Sequence, residues 1–262
     1  MIGIIHHLGI KKWVWVTSTP ILEYQASYSG LISPPSVVPL FLLPFTNQMS
    51  YAERAQNLFM QALVKFAMGF QLDAISRLFQ QKFGDDFPTI KALLPTASLH
   101  MVNSEELLEY PRPLPHKILF IGGIGMDSPK PLNGEFKEFV SNSKKPIVLV
   151  SFGSVAKASK MPKHWIDSLL GLFHHNQHLT FIWKYEGDAG KLAIPENVFV
   201  KEWIPQTDLL GNEKIVAFVT HAGYNSINEC ARAGKPMVLV PLFADQPRNA
   251  KLVEYRGLGL IV

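Results

Sequence analysis

The stretch from Trp203 to Asn249, WIPQTDLLGNEKIVAFVTHAGYNSINECARAGKPMVLVPLFADQPRNA, constrains this chain more than any other. It reads as a short helix, an apolar strand, a Gly-containing turn, a helix stopped by Gly234, a second apolar strand, and an Asp-Gln pair opening a further helix. Short apolar strands alternating with helices imply a parallel sheet, because parallel strands need a crossover and each crossover helix covers a face of the sheet. The same rhythm reaches back to Pro146: PIVLVSFGS is strand and turn, PKHWIDSLLGLFHHN a helix, LTFIWKYEG and NVFVKEW strands. Leu260-Ile261-Val262 looks like the opening of one more strand, so the sheet is expected to be unfinished there.

The upstream part is less regular. Residues 2–10 read as the tail of a helix, and KKWVWVTSTP as a short buried strand stopped by Pro20. The segment 30–47, GLISPPSVVPLFLLPFTN, carries four prolines and is expected to be an ordered loop packed on a core. From Ser50 to Phe83 the pattern is helical, with Leu58, Ala62, Lys65, Phe66, Gly69 and Leu72 near helical spacing and Gly84 as the stop. SLHMVNS and KILFIGGI read as strands, and NSEELLEY between them as a short helix capped by Asn103 or Ser104. MDSPKPLNG is the best linker candidate. It divides the chain into residues 1–125, a linker 126–134, and residues 135–262.

Composition narrows the function classes. At 262 residues and 47% apolar content the chain can build one large or two ordinary cores. The net charge of +4 comes from scattered Lys and Arg, which does not indicate a nucleic-acid surface. One cysteine, Cys230, allows neither an internal disulfide nor a cysteine metal cluster, so no metal site is expected. The longest unbroken apolar runs, VVPLFLLPF and MVLVPLF, fall far short of a bilayer span, and no basic-then-apolar leader follows Met1. As given, the chain reads as soluble or at most peripheral, with neither signal peptide nor transmembrane segment.

In an open parallel sheet, ligands collect beyond the carboxyl ends of the strands. Four such ends carry polar chemistry here. In SFGS, Gly153 permits a tight turn and Ser154 offers N–H and OH to a phosphate, although a plain Gly-Ser turn would look the same. Trp203 offers a flat face to a base, and Gln206 a donor and an acceptor to a pyrimidine edge; the alternative is a core Trp beside a solvated Gln. In THAGYNSINE, His221 ends a strand, Gly223 turns the chain, and Asn225 or Ser226 starts a helix whose N-terminus suits a diphosphate. Glu229 lies one turn on, where a carboxylate can accept from both hydroxyls of a ribose. Asp245 and Gln246 match the vicinal hydroxyls of a hexose; an ordinary acidic helix start is the plainer reading.

The order and spacing of these four groups resemble the signature segment of the UDP-glycosyltransferases, in particular the animal UDP-glucuronosyltransferase and UDP-glucosyltransferase branch. SFGS, PRPLP and PLNGEFKEFV match upstream positions, and PPSVVP resembles the family's Pro-rich PSYVP region. The resemblance covers nearly the whole chain. It implies an α/β chain of GT-B type, two facing Rossmann-like domains with parallel sheets, here truncated at both ends. Residues 1–125 would be the back of the acceptor-binding domain and 135–262 most of the UDP-sugar donor domain. By the same match Trp203 stacks on uracil and Gln206 reads the nucleoside. Ser154, His221, Gly223, Asn225 and Ser226 hold the diphosphate, Glu229 the ribose, and Asp245 with Gln246 the transferred sugar. Arg112, in Pro-Arg-Pro, is a further candidate near sugar or phosphate.

The implied activity is transfer of glucuronic acid or glucose from a UDP-sugar to a small lipophilic acceptor, with inversion. The UDP-sugar is a co-substrate, and no cofactor or metal is required. Family members use a His and an Asp of the N-terminal domain as catalytic base. Neither is matched here: His6 and His7 resemble a helix that follows that Asp, so no catalytic residue is assigned. Two departures lie near the site, Asn212 where His is usual and Ala222 where HGG is usual. The resemblance places full-length relatives in the endoplasmic reticulum membrane, through segments not matched here, and suggests association with them. Alternatives are a non-catalytic UDP-sugar-binding or regulatory chain, or an unstable truncated product.

Overall fold

A computed structural model describes all residues, Met1–Val262. The chain forms two compact units: Met1–Ile124 with Pro247–Leu252, and Gly125–Gln246 with Val253–Val262.

The first unit holds three parallel strands in the order β1 (Val14–Thr17), β2 (Leu99–Val102), β3 (Ile118–Phe120), with Val14 opposite Leu99 and His100 opposite Ile118. Its helices are α1 (Ile2–His7), α2 (Glu23–Ser29), α3 (Tyr51–Phe83) and α4 (Ile90–Leu93). The expected long helix starts where its sequence says it should. Ser50 Oγ accepts from the Glu53 N–H at 3.4 Å and Glu53 Oε2 from the Ser50 N–H at 2.7 Å, a reciprocal cap. It ends at Gly84, φ 104°. Phe79, Phe83 and Phe87 stack at 5.3–5.9 Å beside Ile90 and Leu93.

The Pro-rich loop is ordered, as expected, and one buried side chain fastens it. Asn57 Nδ2 donates to Pro35 O at 2.7 Å and Val38 O at 2.9 Å, while its Oδ1 accepts from the Leu40 N–H at 2.8 Å. A loop without a backbone ladder needs such a partner, because buried peptide groups must be satisfied.

One expectation fails in this unit. NSEELLEY forms turns, not a helix. Its Glu109 carboxylate turns inward, accepting from Ser104 Oγ at 2.9 Å and from Arg248 Nη2 at 2.6 Å. The side chain read as a helix cap is thus consumed by a buried ion pair. By length and composition α3 could cross a membrane, its best 18-residue window having a mean hydropathy of 1.3. Leu58, Phe59, Leu63, Phe66 and Phe70 on it are exposed. Gln61, Lys65 and Gln71 lie within this stretch, so no unbroken apolar run marks it.

The second unit is a six-stranded parallel sheet: β4 (Ile147–Ser151), β5 (Thr180–Lys184), β6 (Val198–Lys201), β7 (Ile215–Thr220), β8 (Met237–Leu239) and β9 (Gly259–Ile261). Its order is β6-β5-β4-β7-β8-β9. The helices are α5 (Gly134–Asn142), α6 (Lys163–His175), α7 (Gln206–Leu210), α8 (Tyr224–Arg232) and α9 (Gln246–Tyr255), residues 247–252 of the last counting with the first unit. Strands β4 and β5 are buried at every position, as central parallel strands must be. Val148, Val150, Phe173, Phe181 and Trp183 fill the core beside them. Helix α5, not anticipated, lays Phe136 and Phe139 on Phe199 at 5.6 and 4.3 Å. The Pro-rich segment before it is fastened to α7, the Lys130 N–H donating to Asp208 Oδ1 at 2.7 Å. The strand expected at the C-terminal end is β9.

Successive strands step from β4 through β5 to β6 at one edge, then restart at β7 beside β4 and run to β9 at the other. The winding direction therefore reverses between β4 and β7, and a crevice is expected outside their carboxyl ends.

Candidate functional site

A cavity of about 420 Å³ lies at that place. Its walls come from the ends of four strands: Ser151, Gly153 and Ser154 after β4, Lys184 closing β5, Trp203 to Asp208 after β6, and Ser226 with Glu229 on α8 after β7. Asp127 and Lys130 complete it. The volume suits a ligand of nucleotide size.

Trp203 is 73% exposed, so it is no core residue. The sheet sets it on the rim, with the Lys184 ammonium 5.7 Å from its ring centroid. Gln206, first residue of α7, donates from Nε2 to Glu229 Oε2 at 2.6 Å and to Ser226 Oγ at 3.3 Å. Gln206 thus meets two residues of α8, 20 and 23 positions on, as one polar wall. Burial raises the Glu229 carboxyl above its usual range, and the Gln206 hydrogen bond opposes the shift.

Helix α8 begins at Tyr224 with Gly223 as its N-cap, one or two residues before the expected start at Asn225 or Ser226. No side chain caps it there. The positive end of a helix is the end attractive to an anion. Asn225 is exposed and Ser226 buried within that first turn.

His221 stands just behind the cavity wall. A β-carbon at Gly153 would fall 2.7 Å from its Cε1, and one at Gly223 2.5 Å from its Nε2. The imidazole is therefore clasped by two glycines, which explains glycine at both positions. Burial and Lys184 hold His221 below the usual imidazole range while the Asp245 charge opposes them, so the ring is neutral at pH 7.

Ala222 adopts φ 64°, the left-handed conformation that glycine takes freely and alanine takes at a cost of about 1–2 kcal/mol. Asn212 turns its carboxamide onto the following chain, Oδ1 accepting from the Lys214 N–H at 3.0 Å.

Six expected residues are not on the cavity wall: His221, Gly223 and Asn225 around the start of α8, and Asp245, Gln246 and Arg112. Gln246 is buried, its Oε1 accepting from the Leu242 and Phe243 N–H groups at 2.8 and 3.0 Å, where it closes the turn before α9. Asp245 precedes it, close enough to act on the His221 charge. Arg112 belongs to the first unit, where Nη1 donates to Ser33 Oγ at 3.2 Å beside the charges of Glu23, Glu109 and Arg248. Sequence reasoning passed over Lys184. A lysine ending a buried strand, followed two residues later by Glu186, was the available signal.

The family model described as "UDP-glucoronosyl and UDP-glucosyl transferase" matches residues 4–262. The putative UDP-glucuronosyltransferase ugt-48 of Caenorhabditis elegans is 31% identical over 99% of this chain and 50% of its own length. UDP-glucuronosyltransferase 1A7 of Mus musculus is 36% identical over 87% of this chain and 42% of its own. The chain thus spans about half the length of the curated relatives it matches. Among solved structures, a UDP-glucosyltransferase from Polygonum tinctorium capable of glucosylating indoxyl superposes over 99% of this chain and 58% of its own, with a TM-score of 0.63 at 20% identity. The glycotransferase of kitacinnamycin covers 99% of this chain and 59% of its own, with a TM-score of 0.60 at 20% identity. This α/β chain, with its parallel sheets, has the fold of the GT-B glycosyltransferases and belongs to the UDP-glucuronosyl/UDP-glucosyl transferase family.

Proposed function

We propose that the cavity of the second unit is the donor site for a UDP-sugar, UDP-glucuronic acid or UDP-glucose. The observation that carries this reading is an exposed Trp203 on the rim of a cavity into which Gln206, Ser226 and Glu229 converge. Uracil stacks on the solvent-exposed surface of Trp203. Glu229 and Gln206 exchange their mutual hydrogen bond for bonds to the ribose and the base edge. Ser154, Ser226, Asn225 and the backbone at the start of α8 take the diphosphate, with Gly223 letting it approach the backbone and neutral His221 adding a donor. These groups act most strongly as UDP departs and negative charge grows on its phosphate oxygens. Asp245 and Gln246 take the hexose, Gln246 by releasing its turn.

Complete transfer also needs a base at the acceptor hydroxyl. We assign to these 262 residues the donor-binding step. Inverting transfer to a small lipophilic acceptor, at the endoplasmic reticulum membrane, is the activity we infer for the whole protein.

The test is a calorimetric titration of UDP into the purified chain and into Glu229→Ala. Saturable binding that weakens in the variant supports the site. A folded wild-type chain that takes up no UDP refutes it.

A further inference from the structure

Behind the donor cavity lies an ion pair that family resemblance did not single out. Lys184 and Glu186 follow one another across the end of β5, with side chains only 8% and 16% exposed. The Lys184 ammonium donates to Glu186 Oε1 at 2.7 Å and to the carbonyl of Gly153 at 2.7 Å. The second oxygen of Glu186 accepts from the Ala158 N–H at 3.0 Å. Gly153 and Ala158 bracket the loop that presents Ser154. The loop is therefore fastened at one end by the cation and at the other by the anion of a single pair. No other side-chain hydrogen bond of the structure ties residues 154–157 down, and Val155 between the two fastenings is 82% exposed.

We propose that Lys184 and Glu186 are positioning residues that set the Gly153–Ala158 loop for the diphosphate of the donor. The inference rests on the donor-site reading above and deepens it. Glu186 touches no ligand in this scheme; it acts through the Ala158 N–H and through Lys184. A buried pair of this kind gives geometry more than net stability, since desolvation of both charges offsets their attraction. What it contributes here is a loop already shaped before the nucleotide arrives, sparing the ordering cost on binding.

The clamp makes a distinction that general stability does not. It bears on the diphosphate loop and not on Gln206 or Glu229. Loosening it should weaken UDP and spare uridine, which stacks on Trp203 and uses the α7–α8 wall. The experiment measures Kd for UDP by calorimetry and for uridine by ligand-detected NMR, in the wild-type chain, Glu186→Gln and Ala158→Pro. The first variant removes the ionic partner of Lys184. The second leaves both charges in place and deletes the N–H donor, while adding ring carbons at a buried position; the preceding Lys157, extended at ψ 120°, accepts a proline after it. In each variant UDP affinity should fall about tenfold, the loss of a hydrogen bond or two, and in Ala158→Pro, which keeps Lys184 over the Trp203 ring, uridine should be unchanged within about twofold.

Equal weakening of UDP and uridine in folded variants overturns the proposal and makes the pair a general support of the fold. Unchanged UDP affinity in both variants overturns it as well. A wild-type chain that binds neither molecule refutes the donor site itself, an outcome distinct from the other two.

Discussion

The clasp of two glycines about His221 predicts a non-additive pattern of stability. Gly223 has φ −64° and ψ 135°, a backbone any residue adopts, so alanine there costs only what its β-carbon costs at 2.5 Å from Nε2. Forcing an extra methyl into a packed site costs about 1–3 kcal/mol. Gly153 is different. Its β-carbon would meet Cε1 at 2.7 Å and its φ is +84°, which adds a left-handed penalty of about 1–2 kcal/mol for alanine. In a His221→Ala background the ring is gone. Gly223→Ala should then cost nothing, or even stabilise by about 0.4–1 kcal/mol by restricting the unfolded chain. Gly153→Ala should keep its backbone penalty of about 1–2 kcal/mol. Urea unfolding of the single and double variants, followed by Trp fluorescence and compared at constant m, measures both couplings. If Gly223→Ala costs the same in both backgrounds, within about 0.5 kcal/mol, the steric account of this glycine is wrong.

Four further outcomes follow from the same structure. Trp203→Ala should weaken uridine and UDP alike by about 1–3 kcal/mol while leaving the unfolding midpoint in place, because the ring is largely solvent-exposed; equal binding by calorimetry would remove Trp203 from the base site. Glu229→Gln should stabilise the chain at pH 7 and weaken UDP binding. A carboxyl raised by burial contributes stability below its unfolded value near 4.3 and loses it as pH rises through the folded value, so the neutral amide removes a cost that thermal scans at pH 5 and 8 would expose. Glu109→Gln should cost about 3–5 kcal/mol by stranding the Arg248 guanidinium, both side chains being almost fully buried; an unfolding midpoint unchanged by the substitution would rule out the pair as a structural tie. His100, fully buried and bonded through Nδ1 to Ser29 Oγ at 2.8 Å, is depressed to about 4 by burial and by the Lys117 charge. The first unit should hold its stability above pH 6.5 and lose it as pH falls toward 4, and His100→Gln should flatten that profile in pH-dependent hydrogen exchange.

What the sequence disclosed, and what it hid, divides by the range of the forces involved. The regular strands and helices of the second unit were legible because β4, β5 and β7 carry uninterrupted apolar runs that only a covered sheet tolerates. Helix α3 was legible because Ser50, Glu53 and Gly84 mark its ends locally. The helix expected at NSEELLEY failed for a non-local reason: Arg248 lies 139 residues away, and its charge draws Glu109 inward. The meeting of Gln206 with Ser226 and Glu229 in one polar wall was legible as spacing. The tie from Glu186 to Ala158 was not, because it depends on where β4 and β5 end side by side. Gln246, read as a sugar ligand, also serves the backbone of its own turn, a role no periodicity discloses.

The fastening of the Pro-rich loop by Asn57 couples two segments in time. Asn57 is a residue of α3, so the Pro35 and Val38 carbonyls and the Leu40 N–H gain this partner only once that part of the helix exists. The loop cannot nucleate on its own: it has no ladder, and its prolines give no amide protons. Its order is inherited from the helix. The Leu40 amide should therefore exchange with solvent in the same opening event as the α3 amides around Asn57, making one loop proton a reporter of the helix.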